Sequence, residues 1–137
     1  MTRKIARAAA RIARGLESEL TLGNVESRRD WGHAKDYVKA MWMILQHNSA
    51  DDYVVASGQT HSVRDFAELA FRTVNLEWDS YVHYDKALCR PTEPTQLVGS
   101  AQKIKRVLGW KPKISFEELV RDMVYAELTA IDLAAPS

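Results

Sequence analysis

Apolar side chains recur every three to four positions along most of this sequence, a spacing that predicts a chain made largely of helices. Residues 2–14 place Ile5, Ala9 and Ile12 on one side of a helix that Gly15 closes, and 19–22 alternate as a short strand leading to Gly23. Residues 24–33 read as a polar loop. From Ala34 to about His47 the helical pattern returns, with Tyr37, Met41 and Leu45 in one stripe and Val38, Trp42 and Ile44 widening it. Such a stripe predicts a well-buried helix. Residues 53–56, inside DDYVVASG, read as a compact apolar strand bounded by charges and Gly58.

Ser62 with Asp65 three positions on resembles a capping box and opens a helix through Phe66, Leu69, Ala70 and Val74. Residues 80–84 form the next strand candidate, and the prolines at 91 and 94 make 88–99 a loop. Ser100 is placed to cap a short helix ending at Gly109, and Ser115 with Glu118 forms a clearer capping box for a last helix through Leu119, Met123, Ala126 and Ile131. The order is helix, strand, helix, strand, helix, strand, helix, helix, which is α/β, mostly helical with a few short strands, in a single domain over 1–137. Three short strands make a poor sheet by themselves, a first sign that the complete fold holds more.

Composition narrows the function classes. A chain of 137 residues can bury roughly two-thirds of its surface and so hold a real core. Its formal charge of +1 supplies no global field for nucleic acid or an anionic membrane, so any anion must be held locally. The lone Cys89 cannot form an internal disulfide, and no apolar run approaches the roughly 18–20 residues that span a bilayer, which leaves a cytoplasmic location as the default. The opening MTRKIARAAARIARG is arginine-rich and acid-free like a transit peptide, but lacks its serines and reads better as an ordinary helix.

The usual catalytic signatures are absent from this sequence. It holds no G-x-G-x-x-G or Walker loop, no G-x-S-x-G elbow, and no tyrosine with a lysine four residues later. His33, His47, His61 and His83 lack metal-ligand spacing, and one cysteine cannot complete a zinc site. His33 and His61 are expected to satisfy backbone groups where helices begin, and Asp36 to order the loop before its helix. Trp31, Trp42 and Trp110 read as packing residues.

The arginines carry more information, because a guanidinium fork matches phosphate oxygens and stays charged. Arg29 stands just before a helix start, where free N–H groups favour an anion. Arg90 stands in a second, proline-containing loop with Glu93 three residues on. The set suits a nucleoside diphosphate, with the arginines on the pyrophosphate and Glu93 accepting from ribose hydroxyls. The plainer alternative is that Arg29 with Asp30, and Arg90 with Glu93, form surface pairs worth little.

RRDWGHAKDYVKAMW, HSVRDFAE, RPTE and LGWKPKISFEELVRDMV together resemble the C-terminal part of the GDP-mannose 4,6-dehydratase family, extended short-chain dehydrogenases/reductases, over about Thr2 to Ile131. The resemblance implies the C-terminal portion of such a fold, lacking the main Rossmann sheet. The family is a lyase in which NADP takes hydride from C4 of the mannose, water leaves across C5 and C6, and hydride returns to C6. Its cofactor loop, catalytic threonine and glutamate, and tyrosine-lysine pair precede the segment matching Thr2. The resemblance therefore implies no catalytic residue, no cofactor in this chain alone, and no activity without the other half.

What the resemblance carries over is the sugar-nucleotide side: Lys4 reaching the substrate, Arg29 on the diphosphate, and Arg90 with Glu93 on phosphate and ribose. It implies GDP-mannose or a related GDP-sugar as ligand, and a companion Rossmann-domain chain or a homo-oligomer as partner. Arg64 lies in a family-like motif but reads as a charge on a first helical turn. The alternative is a non-catalytic interaction or oligomerisation module derived from the dehydratase. Duplex binding through the basic first helix is a third reading that the charge balance weakens.

Overall fold

The computed structural model describes residues 1–89 and 96–134. Helix α1 (Thr2–Ala13) buries Ile5, Ala6, Ala8, Ala9, Ala10 and Ile12 and turns its arginines outward. The alanines let neighbouring helices approach closely, and α1 packs against both α3 (Val63–Thr73) and α5 (Phe116–Ala134). The expected capping box opens α3: Ser62 Oγ accepts from the Asp65 N–H at 3.0 Å, and the Asp65 carboxylate accepts from the Ser62 N–H at 2.7 Å. Phe66 and Phe71 of α3 and Val120 and Val124 of α5 are fully buried in this layer. The Ser115–Glu118 box at the head of α5 also forms.

Strand β1 (Leu20–Leu22) pairs in parallel with β4 (Val82–Tyr84), Leu20 opposite Val82. The strand expected over 80–84 is shorter than its pattern, because a 3-10 turn over Trp78–Ser80 takes its first residue. Part of the loop expected over 24–33 is a strand. β2 (Arg28–Arg29) is the centre of a second small sheet, antiparallel to β3 (His61–Ser62) and parallel to β5 (Gln96–Leu97).

Helices α2 (Ala34–Leu45) and α4 (Gln102–Leu108) build a smaller cluster around Ala40, Ile104 and Trp110, with Tyr37, Met43, Ile44, Tyr53 and Val55 against it. The expectation that the second helix is well buried fails here. Val38, Met41, Trp42 and Leu45 are 62%, 58%, 53% and 81% exposed, so the chain covers one side of α2 and leaves the other open. Trp42 is correspondingly not the packing residue expected, and its ring lies under the Lys39 ammonium at 3.8 Å. Residues 53–56 lie against this cluster without joining a ladder, so the strand expected there does not form. Helix α4 starts from Ala101, with no side-chain cap from Ser100, and ends at Gly109 in a left-handed conformation with φ 69°.

The described architecture is thus α/β, dominated by helices, with two small sheets in place of a continuous one. Among the described residues, no helix is long and apolar enough to cross a membrane.

Candidate functional site

Of the residues expected to hold phosphate, Arg29 lies in β2. Arg29 lies opposite His61 on one side and Leu97 on the other, and its Nη1 donates to the Arg28 carbonyl at 2.7 Å. It is half-buried in a strand, not in the open loop that the sequence suggested. Arg28 is turned to structure: its Nη2 donates to the Thr60 carbonyl at 2.7 Å, and Nη1 stands 3.8 Å from the Asp65 carboxylate.

Asp30 is not Arg29's surface partner. One of its oxygens accepts from the Ser57 N–H at 2.8 Å and hydroxyl at 2.5 Å. The other accepts from the Gly58 N–H at 2.8 Å and the Gly99 N–H at 3.3 Å. One carboxylate thereby ties two loops to the end of β2. A cleft of about 500 Å3 opens beside these loops, lined by Ser57, Gly58, Gly99, Ser100, Lys105 and Lys111 among others.

Aromatic packing fixes β2 and β3 to α5. The His61 ring stacks on Phe116 with centroids 3.7 Å apart, and Trp31 stacks on Phe116 at 6.1 Å and meets Phe66 edge-on at 5.6 Å. Trp31 and Trp110 are the packing residues the sequence suggested. His33 caps α2 as expected, its Nδ1 accepting from the Lys35 N–H at 3.1 Å. His61 does not follow suit, since its Nε2 is buried and has no hydrogen-bond partner.

Asp36 orders a loop, though not the one before its own helix. Its carboxylate accepts from the Lys113 and Ile114 N–H groups at 2.8 and 2.9 Å, and its carbonyl accepts from Trp110 Nε1 at 2.9 Å, which clamps the approach to α5. Burial, helped by the Asp30 and Asp36 carboxylates, pushes the Tyr37 phenol up and keeps it neutral.

Lys4 stands on α1, where its ammonium donates to the Thr21 carbonyl in β1 at 2.7 Å. Arg90 and Glu93 lie outside the described residues. Cys89 has its sulfur 3.1 Å from the Tyr84 hydroxyl, and Gln96–Leu97 pair as β5 beside Arg28–Arg29. Arg64 is a first-turn charge, ion-paired to Glu26 at 2.5 Å and lying over the Trp78 ring.

A cleft of about 720 Å3 runs between α1 and α5 past Arg3, Arg7, Arg11 and Arg14. Three of these four arginines are matched by acids, Arg3 with Glu127 at 3.0 Å and Arg14 with Asp132 at 2.8 Å across the two helices, and Arg11 with Glu17 at 2.5 Å. No group of acidic, histidine or cysteine side chains among the described residues could hold a metal ion.

Gly32 stands just ahead of the N-terminus of α2, where a Cβ would lie 2.5 Å from the Tyr37 ring, so the tyrosine packs directly on this glycine.

The fold, with its helical layers and small split sheets, is found in extended short-chain dehydrogenases/reductases. RMD from Pseudomonas aeruginosa, solved with NADPH, superposes with a TM-score of 0.85 at 27% identity over 94% of this chain and 42% of its own. A UDP-glucose 4-epimerase from Thermotoga maritima shares the fold at a TM-score of 0.75 and 22% identity, over 94% of this chain and 40% of its own.

Residues 1–123 match the family described as GDP-mannose 4,6 dehydratase. GDP-mannose 4,6 dehydratase 1 of Arabidopsis thaliana is 51% identical over 128 residues, 93% of this chain and 36% of the relative. The human GDP-mannose 4,6 dehydratase is 41% identical over 145 residues, 93% of this chain and 39% of the relative. The chain belongs to the GDP-mannose 4,6-dehydratase family and spans about two-fifths of the length of the relatives it matches.

Proposed function

We propose that this chain is the sugar-nucleotide-binding part of a GDP-mannose 4,6-dehydratase. Arg29 takes the diphosphate of a GDP-sugar together with Arg90, Glu93 accepts from ribose hydroxyls, and Lys4 reaches the sugar side. The observation that supports this reading is the parallel pairing of β2 with β5, Arg29 opposite Leu97, four positions after Glu93 in the sequence. A rigid strand, held at one end by Asp30, is a better platform for bidentate phosphate binding than a loop. NADP serves the complete enzyme, in a location consistent with a cytoplasmic protein, and this chain alone turns nothing over.

Calorimetry with GDP-mannose tests the reading. Binding should be detectable and fall at least tenfold in Arg29→Ala and in Arg90→Ala, while incubation with NADP and GDP-mannose should yield no 4-keto sugar. Product from the chain alone would overturn the claim of inactivity, and unchanged affinity in both arginine variants would remove the site. The second reading, an interaction module with vestigial nucleotide loops, is favoured by the open face of α2.

A further inference from the structure

Residues 96–116 carry five cations, Lys103, Lys105, Arg106, Lys111 and Lys113, and no acid, in a chain whose net charge is +1. Lys103 is paired with Asp51 at 2.6 Å. Among the described residues the other four have no acidic partner, and all four are exposed. Two of them, Lys105 and Lys111, line the cleft of about 500 Å3 beside the loops at 57–58 and 99, and no acidic residue lines it. A cleft walled by one sign of charge concentrates the opposite sign.

The two carboxylates that hold its walls are committed to amides. Asp30 accepts from the Ser57, Gly58 and Gly99 N–H groups, which fixes one wall. Asp36 accepts from the Lys113 and Ile114 N–H groups and, through its carbonyl, from Trp110 Nε1, which fixes the turn on either side of Lys111. Gly109, left-handed at φ 69°, and Pro112 restrict that turn further. Lys105 sits in α4, its N–H on the Ala101 carbonyl and its carbonyl taking the Gly109 N–H, both at 3.0 Å. Both ammoniums therefore stand on backbone that a ligand does not have to order, and only their side chains lose freedom on binding.

The chemistry of the lining narrows the ligand. An ammonium is a compact charge without the fork that a guanidinium presents, so a pair of them suits one dianionic group. The volume lies in the range of about 300–1,000 Å3 usual for small-molecule clefts, and Val98, Ala101, Trp110 and Pro112 make much of the remaining lining apolar. We propose that this cleft binds a small phosphomonoester, with Lys105 and Lys111 on its phosphate group and the apolar lining against its carbon skeleton. Neither Arg29 nor Lys4 lines the cleft, so the site is separate from theirs and does not depend on where a sugar nucleotide binds.

Titration of this chain with ribose 5-phosphate and with inorganic phosphate, at constant ionic strength in chloride, tests the site. Saturable amide shifts at Gly58, Gly99 and Ser100 are expected with ribose 5-phosphate, and weaker binding with inorganic phosphate, which has no skeleton to bury. Lys105→Gln and Lys111→Gln should each weaken binding several-fold, and the double variant at least tenfold. Lys103→Gln, at an ammonium that does not line the cleft, and Arg29→Ala should bind as the parent does. Thermal melting checks that each variant folds, and the exposed single lysine variants decide the matter if the double variant does not. Shifts that never saturate, affinity indifferent to both cleft lysines, or an equal loss in Lys103→Gln would each overturn the proposal. So would loss in Arg29→Ala, which would move the probe to β2, and so would equal affinity for the two probes, which would leave no part for the apolar lining.

Discussion

The two apolar clusters of this molecule solve the same problem to different degrees. The first layers α1, α3 and α5 so that each helix turns one apolar stripe inward, and Phe66, Phe71, Val120 and Val124 lose all contact with water. The second gathers α2, α4 and residues 53–56 around Ala40, Ile104 and Trp110, yet leaves Leu45 and Val38 mostly in solvent. The difference lies in the helices. Those of the first cluster are one-sided and are satisfied by their own chain, whereas α2 is apolar on two sides and its chain covers one.

The sharpest way to break that comparison is to cut into each cluster. Phe66→Ala should cost about 3–5 kcal/mol in denaturant unfolding, because it opens a cavity in a fully buried layer. Leu45→Ala should stay within about 0.5 kcal/mol of the parent. Similar losses in both would mean that the α2 face is already covered in solution. Asp36→Ala comes next. It strips the acceptor from the Lys113 and Ile114 amides and should cost about 1–3 kcal/mol, with Trp110 emission reporting the loosened second cluster.

Ser62→Ala should cost about 1 kcal/mol by removing the cap of α3, read as a lower thermal midpoint. The smallest effect is on acid stability. The Ser115 N–H, first among its causes, holds the Glu118 carboxyl below its ordinary value, and Arg14 and Lys103 do the same for Asp132 and Asp51. A depressed folded-state value means that the folded chain binds the proton less readily than the unfolded one. The stabilisation is therefore present above the ordinary carboxylate range and lost as pH falls through the folded value. Glu118→Gln should flatten the acid limb of a melting-against-pH profile, and an unchanged limb would assign it to other carboxylates.

Local signals were the legible ones. Both capping boxes, the buried stripe of α1 and the closing glycines formed as written, because each depends on residues within one or two turns. The burial of α2 was misjudged, since an apolar stripe says that a surface wants covering and not which chain covers it. The strand at 53–56 failed for the same reason, a ladder being a property of two segments. Arg29 was found as a residue but placed in a loop, because a two-residue strand has no period to read. Asp30 and Asp36 were underrated, since their partners lie 27 to 78 positions away in sequence.

Asp30 also sets where this chain can vary in length. Its short side chain holds Ser57, Gly58 and Gly99 at once, so an insertion or deletion beside any of them would carry an amide beyond its reach. The exposed stretch over 47–52 bears no such tether to β2, and natural length variation should accumulate there.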